Sequence, residues 1–280
     1  MRSSPVMHGE VVPVRVTVVI PAHDEEEYIG RAIRSVLDQD TSGVEILVVD
    51  DHSTDRTASI ARSFLGVRVV TNPGRGVVDA LNHGLDTALG DIVVRLDADD
   101  VSLAGGVKNL AAALDLHPAA SLAVGRAVFV DRAGNRIAEH GIVPDRASMR
   151  VVSMAINPIV HSAVAYRRAH VVALGGYRCD DTTEVAQDFD LWSRLLEAGD
   201  VVVVPVEVAE QWFWPTSTTS RRVAEQRRRA IEIRRRNVDR WSAERARLAE
   251  IGRAVRRDSP RSGWDPYAFA LCRLVLDGRR

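Results

Sequence analysis

Short apolar, β-branched runs alternate along the first hundred residues with segments whose apolar residues recur at helical spacing. The runs predict strands over residues 14–20, 44–49, 67–70 and 91–96, and the periodic segments predict helices over 25–40, 57–65 and 77–89. This order is typical of an α/β domain with a mainly parallel central sheet flanked by helices. Because ligands bind such sheets beyond the carboxyl ends of the strands, we expect the functional site there.

The pattern loosens after residue 100 but still predicts regular elements. Apolar periodicity favours helices over 103–116 and 189–198, and β-branched runs favour strands over 157–166 and 201–208. Residues 123–130 and 136–140 are predicted to form a hairpin with 131–135 as its turn. Residues 217–251 are helix-prone and rich in arginine, which predicts a basic helical extension.

The composition is that of a soluble globular protein, since 46% of the 280 residues are hydrophobic and 27% are charged. Two cysteines, Cys179 and Cys272, are too few for a disulfide framework, which favours a reducing cytoplasm. The sequence has no run of 18 apolar residues and no apolar leader, so we expect neither a transmembrane helix nor a signal peptide. We therefore expect a cytoplasmic protein.

Charge is distributed unevenly along the chain although the formal net charge is only −1. Residues 216–280 contain 18 arginines against 8 acidic residues, whereas residues 1–215 carry an excess of acid. Three hypotheses fit the basic region: a helix that is solvated or packed on the acidic body, a peripheral contact with anionic lipid at the inner face of the membrane, and a nucleic-acid patch. We favour the first hypothesis, place the membrane contact second and rank nucleic acid last.

The most informative segment is the acidic cluster, Asp97-Ala98-Asp99-Asp100, which follows the predicted strand over 91–96. Carboxylates crowded at the end of a buried strand repel one another, and a divalent metal with a phosphate ligand is a common partner for them. Mg²⁺ and Mn²⁺ prefer such oxygen ligands. The alternative is an acidic turn that caps the next helix.

Four further motifs accompany the acidic cluster: residues 18–25 (VVIPAHDE), 48–55 (VVDDHSTD), 72–84 and 187–194 (QDFDLWSR). Together the five motifs resemble glycosyltransferase family 2, which has the nucleotide-sugar-binding GT-A fold. The resemblance extends from about residue 15 to about residue 210. We therefore divide the chain into an N-terminal tail (1–13), a Rossmann-like GT-A catalytic domain (14–215) and an Arg-rich helical C-terminal region (216–280).

The resemblance implies that the N-terminal motifs bind the nucleotide. His23 would lie against the base, and Asp50 or Asp51 would accept a hydrogen bond from a base N–H or a ribose hydroxyl. We favour Asp50, because it continues the alternation of the buried strand. Arg75 would pair with the diphosphate or a base edge. The complete predicted nucleotide set is Pro21, His23, Glu25, Asp50, Asp51, Arg75, Asp97 and Ala98.

Each of these assignments has a structural alternative. His23 could be an exposed loop histidine, and Asp24 or Glu25 could cap the following helix. The two aspartates at 50 and 51 could be incidental acids before a helix start. The loop over 74–76 could be a plain turn.

The resemblance also implies a metal site and a catalytic base. Asp99 would be the principal ligand of Mg²⁺ or Mn²⁺, with Asp97 reaching the metal or the ribose, and Asp100 stays open as a further ligand. Asp188 matches the family's catalytic aspartate, while Gln187 departs from the usual glutamate. We expect the pKa of Asp188 to be raised by partial burial and by nearby acids such as Asp190 and Glu184. The alternative is that Asp188 caps a helix.

Three residues are candidates for contact with the donor sugar or the acceptor. His161 could lie in this region or be a structural histidine behind a strand. Arg194 could face the leaving diphosphate or pair with Glu197. Trp212 could form a sugar-stacking platform or belong to the core, and Arg95 is expected to pair with the acidic cluster.

The resemblance thus implies an inverting, metal-assisted glycosyltransferase. Its donor would be a nucleoside-diphosphate sugar, with UDP favoured, and its acceptor a glycan, a lipid-linked sugar or a small molecule. A sugar-1-phosphate nucleotidyltransferase is one alternative, although it usually has a Gly-rich loop where this chain has Pro21-Ala22-His23. A non-catalytic nucleotide-sugar-binding or scaffold module is the other.

Overall fold

The computed structural model describes residues 13–131, 133–139, 145–178, 185–212 and 223–241. Its strands are β1 (Val16–Ala22), β2 (Val44–Asp50), β3 (Val67–Thr71), β4 (Ile92–Arg95), β5 (Val101–Ser102), β6 (Ala120–Val130), β7 (Arg136–Glu139), β8 (Val164–Arg167) and β9 (Asp200–Trp212). Its helices are α1 (Ile29–Leu37), α2 (Thr57–Arg62), α3 (Val77–Thr87), α4 (Gly106–Leu116), α5 (Arg146–Ser153), α6 (Arg168–Ala173), α7 (Gln187–Ala198) and α8 (Val223–Arg240).

Within the described ranges the strands form one sheet in the order β3-β2-β1-β4-β8-β6-β9-β5, with β7 paired to β6. The strands β1 to β4 are mutually parallel, β9 runs parallel to β6, and β8 joins the two halves in an antiparallel direction. The predicted α/β fold with a mainly parallel central sheet is thus confirmed. The register pairs Ala22 with Asp50 and Asp50 with Thr71, so the carboxyl ends of β1, β2 and β3 meet at one edge.

Alternating side chains divide the core between the two faces of the sheet. Val18 and Ile20 face one cluster, which α1 and α4 cover, whereas Val19 faces a second cluster, which α3 and α7 cover. Trp192 of α7 is fully buried in the second cluster. Because both faces are covered, the loops at the strand ends remain as the place for a ligand.

The segment over 157–166 was predicted as one strand, and this prediction is wrong. A 3-10 turn over His161–Ala163 precedes the short strand β8. Pro158 has no N–H to donate, and the N–H of Ile159 donates to the side chain of Asn157 rather than to a strand. The short elements β5, α5 and α6 were not predicted.

The helix α8 packs on α5 and α7. Its Ile233 and Asn237 are buried, as is Trp241 just after it. Asn237 Nδ2 donates to the carbonyl of Ser153 and to Ser193 Oγ, both at 3.0 Å. These contacts favour the domain-packed hypothesis for this helix. The predicted helix beyond residue 241 and the tail before residue 13 lie outside the described residues.

We expect Asn237→Ala to lower the free energy of unfolding by about 2 kcal/mol, because Ser153 and Ser193 each lose a buried partner. The melting temperature should fall by about 4–8 °C. Glu232→Ala on the same helix is the control, since Glu232 is exposed and its ion pair with Arg229 contributes little. Equal melting curves for the two variants would contradict the packing of α8.

Candidate functional site

The loops after β1 and β2 are locked together by hydrogen bonds. The Asp24 carboxylate accepts from the Thr54 N–H at 2.7 Å, and the Glu25 N–H donates to Thr57 Oγ1 at 2.7 Å. Asp24 has a left-handed backbone conformation (φ 53°). Because the N–H groups of residues 24 to 26 bond to the second loop, α1 begins only at Ile29, and neither Asp24 nor Glu25 caps it.

The loop after β3 is fastened to the same edge by Asp51. Asp51 Oδ1 accepts from Asn72 Nδ2 at 2.7 Å, and its Oδ2 accepts from the Gly76 N–H at 2.8 Å. His52 Nε2 donates to the carbonyl of Gly74 at 2.8 Å. Both oxygens of Asp51 are therefore used to hold the loop ahead of α3.

The Asp50 carboxylate, unlike that of Asp51, is not fully hydrogen-bonded. Its side chain is buried, as the strand alternation predicted, and among the described residues its Oδ1 finds no hydrogen-bond partner. A buried carboxylate oxygen without a donor is costly unless a ligand supplies one. Asp50 is therefore the aspartate that has an oxygen left for a ligand N–H or hydroxyl.

Two further candidates lie on the open side of these loops. The imidazole of His23 is 58% exposed, and its Nδ1 donates to the carbonyl of Asp51 at 2.6 Å. This bond orients the ring and leaves its face accessible. Arg75 is exposed, whereas Pro21 and Ala98 are buried at the ends of β1 and β4.

Arg95, the last residue of β4, forms an ion pair with the acidic cluster. This fully buried guanidinium pairs with Asp97 Oδ1, as expected, and Ser162 Oγ lies 3.1 Å from Asp97 Oδ2. Burial by itself would raise the pKa of Asp97, but the charge of Arg95 and the Ser162 hydrogen bond keep it below its usual value. Asp97 is thereby fixed as a carboxylate.

Asp99, Asp100 and the nearby Glu25 differ in their pKa values and in the hydrogen bonds that they accept. Burial, with the charge of Asp97, raises the pKa of Asp99 to about 6, and burial with both Asp99 and Asp97 raises that of Glu25 to about 8. Asp100 is 1% exposed and accepts from Ser162 Oγ at 2.5 Å and from the Trp212 N–H at 3.2 Å. Within the described residues, no side chain donates to the Asp99 carboxylate; Arg31 donates to its carbonyl.

These oxygen donors fit a hard divalent cation. Crowded carboxylates whose pKa values are raised by one another gain most from a positive charge. Within the described ranges, no three His, Cys, Asp or Glu side chains are arranged to hold a metal by themselves. The arrangement therefore suits a metal held by one or two carboxylates together with substrate phosphates.

Asp188 lies in the first turn of α7, close enough to the acidic cluster for the charge of Asp97 to affect it. It is partly buried, and its Oδ2 accepts from Asn157 Nδ2 at 2.8 Å. Burial chiefly, with the charge of Asp97 adding to it, raises the pKa of Asp188 to about 6. The raised pKa was expected, but Asp190 is not its cause, and Glu184 lies outside the described residues. The N-cap of α7 is Ala186, so Asp188 is not a cap.

The two expectations for Arg194 are not met. Arg194 is 8% exposed, pairs with Asp190 at 2.9 Å, and donates to the carbonyls of Leu174 and Gly176 at 3.0 and 2.8 Å. Glu197 pairs with Arg240 instead. Arg194 thus ties α7 to the turn after α6.

We expect Arg194→Met to lower the free energy of unfolding by about 2 kcal/mol, because buried Asp190 and the Gly176 carbonyl lose a charged donor, while Asp190 keeps its pair with Arg236. Nucleotide affinity measured by calorimetry should stay at the wild-type value at a temperature where the variant is folded. A selective loss of nucleotide affinity with unchanged melting temperature would instead place Arg194 on the diphosphate.

His161 and Trp212 also have protein partners. His161 is buried, its Nε2 accepts from Arg95 Nε at 3.2 Å, and burial lowers its pKa to about 3. It is therefore a neutral support for Arg95, which favours the structural alternative. The guanidinium of Arg31 lies 3.7 Å from the centre of the Trp212 ring. Arg31, rather than a sugar, covers that face of the ring.

Sequence patterns did not indicate Asn157, Ser162 or Arg31. Asn157-Pro158 is a recognisable turn signal, because asparagine before proline often accepts a hydrogen bond from the second residue on. Ser162 and Arg31 had no such signal, since their partners lie more than 60 residues away in the sequence.

Comparison with known proteins agrees with this geometry. The family model "Glycosyl transferase family 2" matches residues 17–174. The putative glycosyltransferase EpsE of Bacillus subtilis is 29% identical over 66% of this chain and 68% of its own length. An uncharacterized glycosyltransferase of Haemophilus influenzae is 24% identical over 80% of this chain and 73% of its own length.

Solved structures show the same fold. TarS of S. aureus in complex with UDP superposes with a TM-score of 0.59 at 19% identity, covering 80% of this chain and 65% of that chain. The mannosyltransferase PcManGT of Pyrobaculum calidifontis, in complex with GDP-Man and Mn²⁺, gives 0.56 at 21% identity, covering 96% and 88%. The chain belongs to glycosyltransferase family 2, has the GT-A fold and is a glycosyltransferase. No helix among the described residues is long and apolar enough to cross a membrane.

Proposed function

We propose that the protein is an inverting glycosyltransferase that moves a sugar from a nucleoside-diphosphate sugar, with UDP favoured, to an acceptor hydroxyl. The observation that carries this proposal is the common environment of Asp188 and the acidic cluster. Burial and the charge of Asp97 raise the pKa of Asp188 to about 6, which poises a base beside the donor site. Asp188 would take the proton of the acceptor hydroxyl. The hydroxyl oxygen would attack the anomeric carbon, and the nucleoside diphosphate would leave.

The interlocked loops would bind the nucleotide. His23 would stack on the base, and the unpartnered oxygen of Asp50 would accept from a base N–H or a ribose hydroxyl. Asp51 would act by holding the loop that carries exposed Arg75 toward the diphosphate. Pro21, Glu25 and Ala98 complete the proposed nucleotide set.

Asp99, with Asp97, would hold Mg²⁺ or Mn²⁺. When bound, the metal would neutralise charge on the departing diphosphate. Asp100 is the least suited of the three aspartates, because it is 1% exposed and both of its oxygens accept hydrogen bonds, whereas Asp97 and Asp99 are partly exposed. The structural neighbour PcManGT, solved with GDP-Man and Mn²⁺, supports a divalent metal in this site.

A thermal-shift screen tests the donor. UDP-glucose, UDP-GlcNAc, GDP-mannose and dTDP-glucose are each titrated with and without Mn²⁺, since a ligand that binds the folded state raises the melting temperature. We expect a UDP-sugar to give the largest shift, and the shift to be larger with Mn²⁺ than without it. The absence of a shift with every sugar nucleotide would reject the proposed donor class, and a larger shift with GDP-mannose would reject UDP.

We further propose a lipid-linked acceptor reached at the cytoplasmic face of a membrane, with glycan and small-molecule acceptors as the alternatives. A Campylobacter jejuni relative, 31% identical over 34% of this chain, is named as a glucosyltransferase of an undecaprenol-linked glycan. Arg228 and Arg235 are exposed on α8 and could contact anionic lipid.

We expect the wild-type protein to co-sediment with phosphatidylglycerol vesicles and the double variant Arg228→Glu/Arg235→Glu to stay in the supernatant. If both proteins stay in the supernatant in equal amounts, the proposed membrane contact is excluded.

Membership of the family favours transfer over the nucleotidyltransferase hypothesis. The non-catalytic scaffold hypothesis is favoured only by the replacement of the family's usual glutamate by Gln187. The presence of the proposed base Asp188 next to it in α7 argues against that hypothesis.

A further inference from the structure

Asn157 is the residue that contacts the proposed base, and its orientation is fixed by the chain around it. Its Oδ1 accepts from the Ile159 N–H at 3.2 Å, which forms an Asx turn. Pro158 restricts the backbone of Asn157 to extended conformations. Because the amide oxygen faces Ile159, the amide nitrogen must face Asp188, and it donates to Asp188 Oδ2 at 2.8 Å.

We propose that Asn157 is a positioning residue: it fixes Asp188 Oδ2 so that Oδ1 is presented to the acceptor hydroxyl. This inference rests on the proposed function, since it concerns the same base. The Asx turn makes the donor rigid, and a rigid donor selects one rotamer of the carboxylate. Proton transfer depends steeply on such alignment, because a displacement of about 1 Å can lower a rate by about a hundredfold.

The electrostatic surroundings of Asp188 leave Asn157 a distinct role. Asp97, from the loop after β4, opposes ionisation of Asp188, whereas the backbone N–H of Phe189 and the side-chain amide of Asn157 favour it. Tyr177 is buried, and burial raises its pKa well above the usual value, so its hydroxyl stays neutral. Among the described side chains, Asn157 is therefore the one that stabilises the ionised base.

Asn157→Asp separates the positioning role from the turn. The new side chain keeps an oxygen for the Ile159 N–H and so preserves the turn, but it presents a carboxylate to Asp188 instead of a donor. Asn157→Ser also keeps an acceptor for Ile159 and is too short to reach Asp188, so it serves if the first variant does not fold. Near-wild-type melting temperatures confirm the fold.

Carboxyl-carbon NMR follows the titration of Asp188 directly, and the signal missing from Asp188→Asn assigns the resonance. The rate of the reaction is measured from the release of UDP from UDP-glucose or UDP-GlcNAc. In Asn157→Asp we expect the titration midpoint and the acidic limb of kcat to move up by about one pH unit. The kcat above the limb should fall by about tenfold or more, with KM for the donor unchanged. An unshifted titration and wild-type kcat in a folded variant would overturn the inference.

The activity of Asp188→Asn distinguishes failure of the proposed function from failure of the role of Asn157. If Asp188→Asn retained turnover, Asp188 would not be the base, whatever the titration of the Asn157 variants showed. If Asp188→Asn were inactive while Asn157→Asp matched the wild type in both readouts, the base would stand and only the role of Asn157 would fall.

Discussion

Replacing Asp188 with asparagine is expected to lower kcat by about 10²–10⁴-fold, the range typical of losing a general base. Asparagine has nearly the same shape and keeps an oxygen for Asn157, but it cannot accept the hydroxyl proton. Binding of the sugar nucleotide should be unaffected, because Asp188 lies on α7 and the proposed nucleotide set lies on the loops after β1 to β4. Initial rates and calorimetric donor affinity check the two parts.

The same variant should be more stable than the wild type at neutral pH. The folded state raises the pKa of Asp188 from 3.8 to about 6, so above 3.8 the ionised side chain opposes folding. Asparagine removes this penalty, which we place at about 1–2 kcal/mol after allowing for partial exposure. The gain should be full above pH 6 and vanish toward pH 4. A variant that loses activity and stability together would indicate a structural aspartate instead.

Gln187→Ala is the matched control for both measurements. Gln187 precedes Asp188 in α7 and carries no charge to lose. Gln187→Ala should keep the turnover and the acidic limb of the wild type. A loss of turnover as large as that in Asp188→Asn would contradict the assignment of the base to Asp188.

The sequence patterns predicted the parts of the fold that depend on local chemistry. The β-branched runs before Pro21 and Asp50 are buried on both faces and could be recognised as strands from composition alone. The position of the acidic cluster followed from the strand pattern, because consecutive strand ends deliver such residues to one edge of a parallel sheet. The role of Asp188, which lies in α7, was instead an implication of the family resemblance.

The remaining features depend on contacts between distant segments, which periodicity does not report. Arg194 was predicted to face the diphosphate or to pair with Glu197, but it pairs with Asp190 and donates to the carbonyl of Gly176, which is 18 residues away in the sequence. Residues 157–163 had strand composition, but the Ile159 N–H bonds to Asn157, and the His161 and Ser162 side chains bond to Arg95 and Asp97, so the strand begins only at Val164. Sites hold side chains against local preference, and this is where sequence-based prediction fails first.

Asp99→Asn is expected to abolish the Mn²⁺-dependent part of nucleotide binding. The Asp99 carboxylate receives no side-chain donor from the described residues, so its oxygens are the ones left for a cation. Removing a metal-ligating carboxylate should weaken the affinity for UDP with Mn²⁺ by about tenfold or more, while the affinity without metal changes little. Calorimetry with and without Mn²⁺ separates the two affinities.

Asp100→Asn is the matched control, because the two aspartates are adjacent and chemically identical but differ in their partners. An asparagine at this position can accept from the Trp212 N–H through its oxygen and donate to Ser162 Oγ through its nitrogen, so both existing contacts survive. Mn²⁺-dependent binding should therefore stay at the wild-type level. If Asp100→Asn lost that binding and Asp99→Asn kept it, the metal would be held by the buried aspartate, and the Ser162 and Trp212 contacts would have to open when the metal binds.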